Sequence, residues 1–192
     1  QDKQIQSLAL GLRREDSNDD RAVIVYQSSA LYALSADIES LPGGIIARAL
    51  GVSEQGLRAT AQGEGDLDTG RARFDAAIGE TQLLTGASEW ARGSWTTTAH
   101  ADLMTLPALA DIARRIGPSA DLRLTGAADR TFTAHAETPF LALDASGALT
   151  EARELDGGAR IVVTTPRLSD IARESPFGLG AARLEGELRQ AR

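Results

Sequence analysis

Cysteine is absent from this chain. That excludes a disulfide framework and thiolate metal sites, and it is compatible with an oxidising compartment such as a bacterial periplasm. Lysine occurs once, at Lys3, which removes Ser-Lys catalysis and most Schiff-base chemistry. The two histidines, His100 and His135, fall on the polar phase of expected strands. Neither has a nearby Glu-His or His-x-x-x-His partner, so they read as solvated strand residues rather than metal ligands. Aromatic residues make up 4% of the chain, which leaves few rings for stacking. No run reaches the roughly 18 to 20 apolar residues that a membrane-spanning helix requires. The net charge of −7, with acids interspersed among arginines, leaves no basic stripe to neutralise phosphates and argues against nucleic-acid binding.

Catalytic motifs are equally sparse. No Gly-x-Ser-x-Gly elbow occurs, and Gly63, Gly65 and Gly70 lack the spacing of a dinucleotide loop. Asp66-Leu67-Asp68-Thr69-Gly70 begins like a calcium loop, but its twelfth position is Ala77 instead of glutamate and a strand follows, so a tight turn is expected. Glu151 and Glu154 sit in a charged turn and read as solvated loop acids. The expectation is a protein that is not an enzyme and carries no cofactor or metal.

What is present is a recurring phrase. Ile-Ala-Arg appears at positions 46–48, 112–114 and 171–173, roughly 60 residues apart, a spacing that suggests stacked supersecondary units. Each copy has a proline upstream (Pro42, Pro107, Pro166) and a glycine downstream (Gly51, Gly117, Gly178), the start and stop signals of a short helix. Within these helices, Ile46, Ala49 and Leu50, and Leu109, Ile112, Ala113 and Ile116, form stripes expected to plug against a sheet. The arginines are expected to be exposed or paired with an acid such as Asp111 or Asp170.

Between the phrases the pattern alternates with period two, as in Ala72, Phe74, Ala76 and Ile78. Strands are expected near residues 5 to 14, 21 to 28, 31 to 39, 71 to 78, 82 to 90 and 93 to 103, with further strands around Leu122, Phe132, Leu143 and Ile161. Ser17-Asn18-Asp19-Asp20 reads as the first turn. Approximate repeats are 1–51, 52–117 and 118–178, with a fourth beginning at 179–192, all within one segment, 1–192, of a longer protein. The opposite phase is polar, for example Thr131, Thr133, His135 and Glu137, so one face meets water and the other does not. About a dozen strands spaced ~4.8 Å apart make a sheet roughly 50 to 60 Å broad, which three helices of about ~15 Å cannot cover. A second sheet, the same sheet curled on itself, or a ligand must do so. Trp90 and Trp95 flank an expected hairpin turn and read as a cross-strand packing device.

Three stretches carry a resemblance. Gly65-Asp66-Leu67-Asp68-Thr69-Gly70 before Arg71-Ala72-Arg73-Phe74 is one. Asp144-Ala145-Ser146-Gly147-Ala148-Leu149 with Leu155-Asp156-Gly157-Gly158 is another, and the closing run from Pro176 to Gly186 is the third. Together they resemble the AsmA-like and TamB families of Gram-negative bacteria. The resemblance implies an elongated, curled antiparallel β-sheet, a half-pipe or β-taco with a lipophilic groove. It implies a periplasmic protein anchored in the inner membrane that works with a TamA-like outer-membrane barrel in envelope biogenesis. Passage of phospholipid acyl chains along the groove, and assembly or secretion of outer-membrane proteins such as autotransporters, are the implied roles.

On this reading the groove lining is expected to be Leu57, Phe74, Ile78, Leu122, Leu124, Phe132, Leu141, Leu143, Ile161 and Val163, the apolar phase of the central strands. Two alternatives stand beside it: a scaffold or chaperone module that binds protein strands by β-augmentation, and a closed β-sandwich acting as a spacer.

Overall fold

A computed structural model describes residues 7–13, 20–28, 31–151, 155–171 and 180–188. It contains strands β1 (Ser7–Arg13), β2 (Asp20–Ser28), β3 (Tyr32–Ser40), β4 (Leu57–Gly65), β5 (Thr69–Ile78) and β6 (Thr81–Ala91), followed by β7 (Ser94–Asp102), β8 (Ser119–Gly126), β9 (Thr131–Glu137), β10 (Ala142–Leu149), β11 (Leu155–Thr165) and β12 (Ala182–Leu188). All twelve belong to one antiparallel sheet whose strand order is the chain order, with β1 and β12 at its two edges. The sheet is not closed, and the fold is all-β with a few short helices: α1 (Ile45–Ala49), α2 (Ala110–Ile116) and α3 (Leu168–Ile171). The first two Ile-Ala-Arg phrases lie inside α1 and α2, and Ile171 ends α3. Ala172, Arg173, Gly178, residues 17–19 of the first expected turn and Glu154 lie outside the described residues.

The chain divides into two compact units, Gln1–Ala91 with Thr105–Ala108, and Arg92–Met104 with Leu109–Arg192. In the first, register brings the expected apolar phases together. One row runs Leu10, Ile24, Ala36, Ala61, Phe74, Gly86 across β1 to β6, and the next runs Leu12, Ala22, Ile38, Ala59, Ala76, Leu84. In the second, a row runs Ala99, Leu122, Ala136, Leu143, Val163, Leu184 across β7 to β12. Cross-strand neighbours stand only about 5 Å apart, and each row sets alanine or glycine beside larger residues, as at Ile24–Ala36, Ala61–Phe74–Gly86 and Leu122–Ala136–Leu143. The alanines are therefore spacers beside larger neighbours. Trp95 lies over Gly126, where a Cβ would come within 2.1 Å of the indole nitrogen, and Trp90 lies over Gly70, where a Cβ would come within 2.0 Å of the ring. The two tryptophans are thus packing devices, each covering a glycine on a neighbouring strand.

The core of the first unit sits beneath α1. Ala47, Val52 and Ile78 are buried, with Leu50, Leu57, Leu83 and Leu106 packed around them. A register shift after Ala76 leaves Leu83 outside the ladder, and its side chain joins this core. The expected stripes are met in part: Leu50 packs against the core, Ala113 is buried, and Leu109 and Ile116 are half-buried. Ala47 and Ala113 are the buried contacts, whereas Ile46 is 36% exposed, Ile112 is 50% exposed and Ala49 is exposed. A helix of five to seven residues has room for one close contact with the sheet, and alanine permits the closest approach. Arg114 pairs with Asp111, and Arg48 donates to the Gly43 carbonyl at 2.6 Å.

Candidate functional site

The expected groove residues fall into separate settings. In the first unit Leu57 and Ile78 are direct cross-strand partners, but α1 covers them. Ile78 is fully buried, so it is the floor of a packed core and presents no surface. Phe74 is half-buried between Ala61 and Gly86. In the second unit Leu122, Leu124, Phe132, Leu143, Ile161 and Val163 share one face and are all half-buried. Leu141 stands just before β10 in a tight turn: the Thr138 N–H donates to its carbonyl at 2.8 Å, and its own N–H donates to Thr138 Oγ1 at 3.0 Å.

The more open apolar surface lies toward the sheet edges. Leu8, Leu10, Leu12, Ile24 and Leu34 occupy the apolar phase of β1 to β3 and are exposed, Leu34 at 51%. Tyr26 and Tyr32 stack on the same face with ring centroids 6.0 Å apart. In the second unit the corresponding residues are Leu184, at 71%, and Leu188. The alternation of Leu8, Leu10 and Leu12 was visible in the sequence, but alternation does not reveal which strand lies at an edge. A central side chain has neighbours on two strands, whereas an edge one has them on one; Leu34, on β3, is open because its β4 partner is the bare Gly63.

The other face is polar and laced with cross-strand pairs. His100 Nδ1 lies 2.7 Å from Asp121 Oδ1, and His135 Nδ1 lies 2.7 Å from Asp144 Oδ1. In each case the partners are directly opposite in the ladder. His135 also has Glu137 at 3.8 Å, and its pKa is raised, chiefly by the hydrogen bond to Asp144. Arg71 pairs with Glu64, Arg160 with Glu185 at 2.7 Å, and the Thr125 and Thr133 hydroxyls meet at 2.7 Å. A hollow of 470 Å³ on the polar side of the first unit is walled by Gln27, Ser35, Gln62 and Arg73 among others. Asp66, the first residue of the calcium-like stretch, caps its own turn, accepting from the Asp68 and Thr69 N–H groups at 2.8 and 2.7 Å. Among the described residues no cluster of histidine, aspartate and glutamate is arranged to hold a metal ion.

No protein-family model, curated protein or solved structure matches the chain.

Proposed function

We propose that this chain is a segment of a periplasmic bridge protein whose two-faced sheet carries phospholipid acyl chains along its apolar side. The parent protein would be anchored in the inner membrane and would act with a TamA-like outer-membrane barrel in outer-membrane biogenesis, as the resemblance of its turns implies. The observation that carries the reading is the exposed aliphatic patch of Leu8, Leu10, Leu12, Ile24 and Leu34 on one face of β1 to β3. The opposite phase of the same strands holds Arg21, Asp37 and Glu39. A surface of this kind shelters an acyl chain methylene by methylene, each worth about 0.8 kcal/mol when buried. Shallow, near-equivalent contacts hold a chain without one specific pocket and let it move. The polar phase keeps the reverse side of the sheet in water.

Native mass spectrometry of the purified chain, with identification of the released ligand, tests the proposal. Co-purifying phospholipid is expected, and it should be lost in Leu34→Asp while far-UV circular dichroism is unchanged. A stable, lipid-free protein overturns the carrier reading and leaves the scaffold that binds protein strands by β-augmentation; the closed-sandwich spacer does not stand beside a single open sheet.

A further inference from the structure

The polar side of the first unit holds a hollow that the carriage of acyl chains does not use. On β3 two side chains of the polar phase are short, Ala33 and Ser35, whereas their ladder partners are longer: Gln27 and Val25 on β2, Glu64 and Gln62 on β4. Strands two places apart are separated by roughly 10 Å, so the short pair leaves a trough between two taller banks, and the hollow of 470 Å³ lies there. Arg71 and Arg73 of β5 complete one side of it. The charge around it is uneven. Arg71 is paired with Glu64, and Arg21 and Arg58 both reach Asp37. Among the described residues Arg73 is the one arginine of β2 to β5 without an acidic partner. Its ladder partners are Gln62 and Ala87, and Asp75, two residues on, accepts from Thr60 at 2.5 Å. Gln27, Ser35 and Gln62 likewise have no side-chain hydrogen bond among the described residues.

We infer that this hollow binds a small polyhydroxylated anion, a sugar acid or a sugar phosphate, with the acid group on Arg73 and the hydroxyl groups on Gln27, Ser35 and Gln62. A guanidinium lacking a counter-charge favours an oxyanion, which it holds with two parallel N–H donors. The two amides and the hydroxyl each donate and accept, which suits hydroxyl groups that do the same. Val25 and Ala33 offer the C–H face of a sugar ring an apolar contact. The polar walls disfavour an acyl chain, which would strip water from them without replacing its hydrogen bonds. Among the described residues no aromatic side chain lines the hollow, which removes the platform on which a nucleobase stacks. The volume falls within the roughly 300 to 1,000 Å³ of small-ligand sites. The exposed aliphatic patch lies on the opposite phase of the same strands, so this site does not depend on the carriage of lipid.

The test is a heteronuclear NMR titration of the full 192-residue chain with glucuronate, glucose 1-phosphate, glucose and inorganic phosphate as separate probes. Saturable shifts at Ser35 and Gln62 are expected with glucuronate, glucose 1-phosphate or both, and the tighter of the two identifies the acid group. Glucose, which lacks the acid, and phosphate, which lacks the carbon-bound hydroxyls, should each bind about tenfold more weakly or worse. Arg73→Gln should weaken the sugar anion by about tenfold or more. Arg58→Gln, whose arginine is already paired and lies outside the hollow, should leave it unchanged. The absence of a saturable shift with either sugar anion overturns the inference. So does glucose or inorganic phosphate binding as tightly as the sugar anion, and so does an equal loss in Arg58→Gln, which would reduce the effect to general charge attraction. Should Arg73→Gln lose its circular dichroism signal, Gln62→Ala replaces it: weaker binding is expected, and unchanged binding overturns the site.

Discussion

Ser40 and Asp20 face each other across β3 and β2, and the Ser40 hydroxyl donates to the Asp20 carboxylate at 2.5 Å. Both stand on the apolar phase of the sheet, where polar groups need a reason to be. The reason is α1: the Ile45 N–H donates to Asp20 Oδ2 at 2.8 Å and the Ala47 N–H to Ser40 Oγ at 3.1 Å. Two strand residues thus cap a helix whose own N-cap position, Gly44, offers no side chain. Gly44 has to be bare, since a Cβ there would stand 2.3 Å from Ser40 Oγ and 2.6 Å from Asp20 Oδ1.

Asp20→Ala and Ser40→Ala are each expected to lower stability by about 1 to 2 kcal/mol in chemical denaturation, through the loss of a cap. Because the two share one network, the double variant should cost less than the sum of the singles. Full additivity would show that the strand residues cap the helix independently.

Ile78→Ala empties the floor of the core under α1 and should cost about 2 to 5 kcal/mol. Ile112→Ala, on a half-exposed side chain, should stay within about 0.5 kcal/mol. Equal losses would place Ile112 in a contact that its exposure does not suggest.

Gly126→Ala drives a methyl group into the Trp95 indole and should destabilise by about 1 to 3 kcal/mol, as overpacking does. A shift in tryptophan fluorescence should accompany it. Gly186→Ala, where nothing stands within 4 Å of the added carbon, is the control and should leave the spectrum unchanged.

His135 should titrate above the ordinary histidine value, because Asp144 stabilises its protonated form. With the folded pKa raised, the pair's contribution is fully present below the unfolded value of about 6.5 and is lost as pH rises through the folded value. Proton NMR of the imidazole checks the midpoint, which should fall toward the ordinary value in Asp144→Asn. The side chain is 45% exposed, so the effect on global stability should be small.

Strand positions were legible wherever alternation was strict: Phe74 and Ile78 on β5, and Leu122 and Leu124 on β8, take the phase their spacing implies. The choice between open sheet and sandwich was not legible, because both need the same period-two pattern and differ only in which strands pair. Ile46 and Ile112 were misjudged because helical spacing assumes a face several turns long. A one-turn helix instead seats its smallest residue, Ala47, closest to the sheet. The lipid-facing choice went to central strands, yet Leu8, Leu34 and Leu184 are the more open positions. A strand's place in a sheet is a tertiary fact that its own residues do not encode.

Because strand order equals chain order, every ladder closes a loop no longer than the connection between two consecutive strands. The entropic toll of bringing distant segments together, which slows most all-β domains, is largely avoided. A hairpin formed anywhere can grow in either direction, one neighbour at a time, as in a one-dimensional array. Amide hydrogen exchange in such a chain should show protection that declines gradually from the Ile78 core toward the β1 edge, in place of a single global opening. Partial fraying from an edge then becomes an ordinary excursion of the native state, in which Leu8 and Leu10 are the first side chains to loosen.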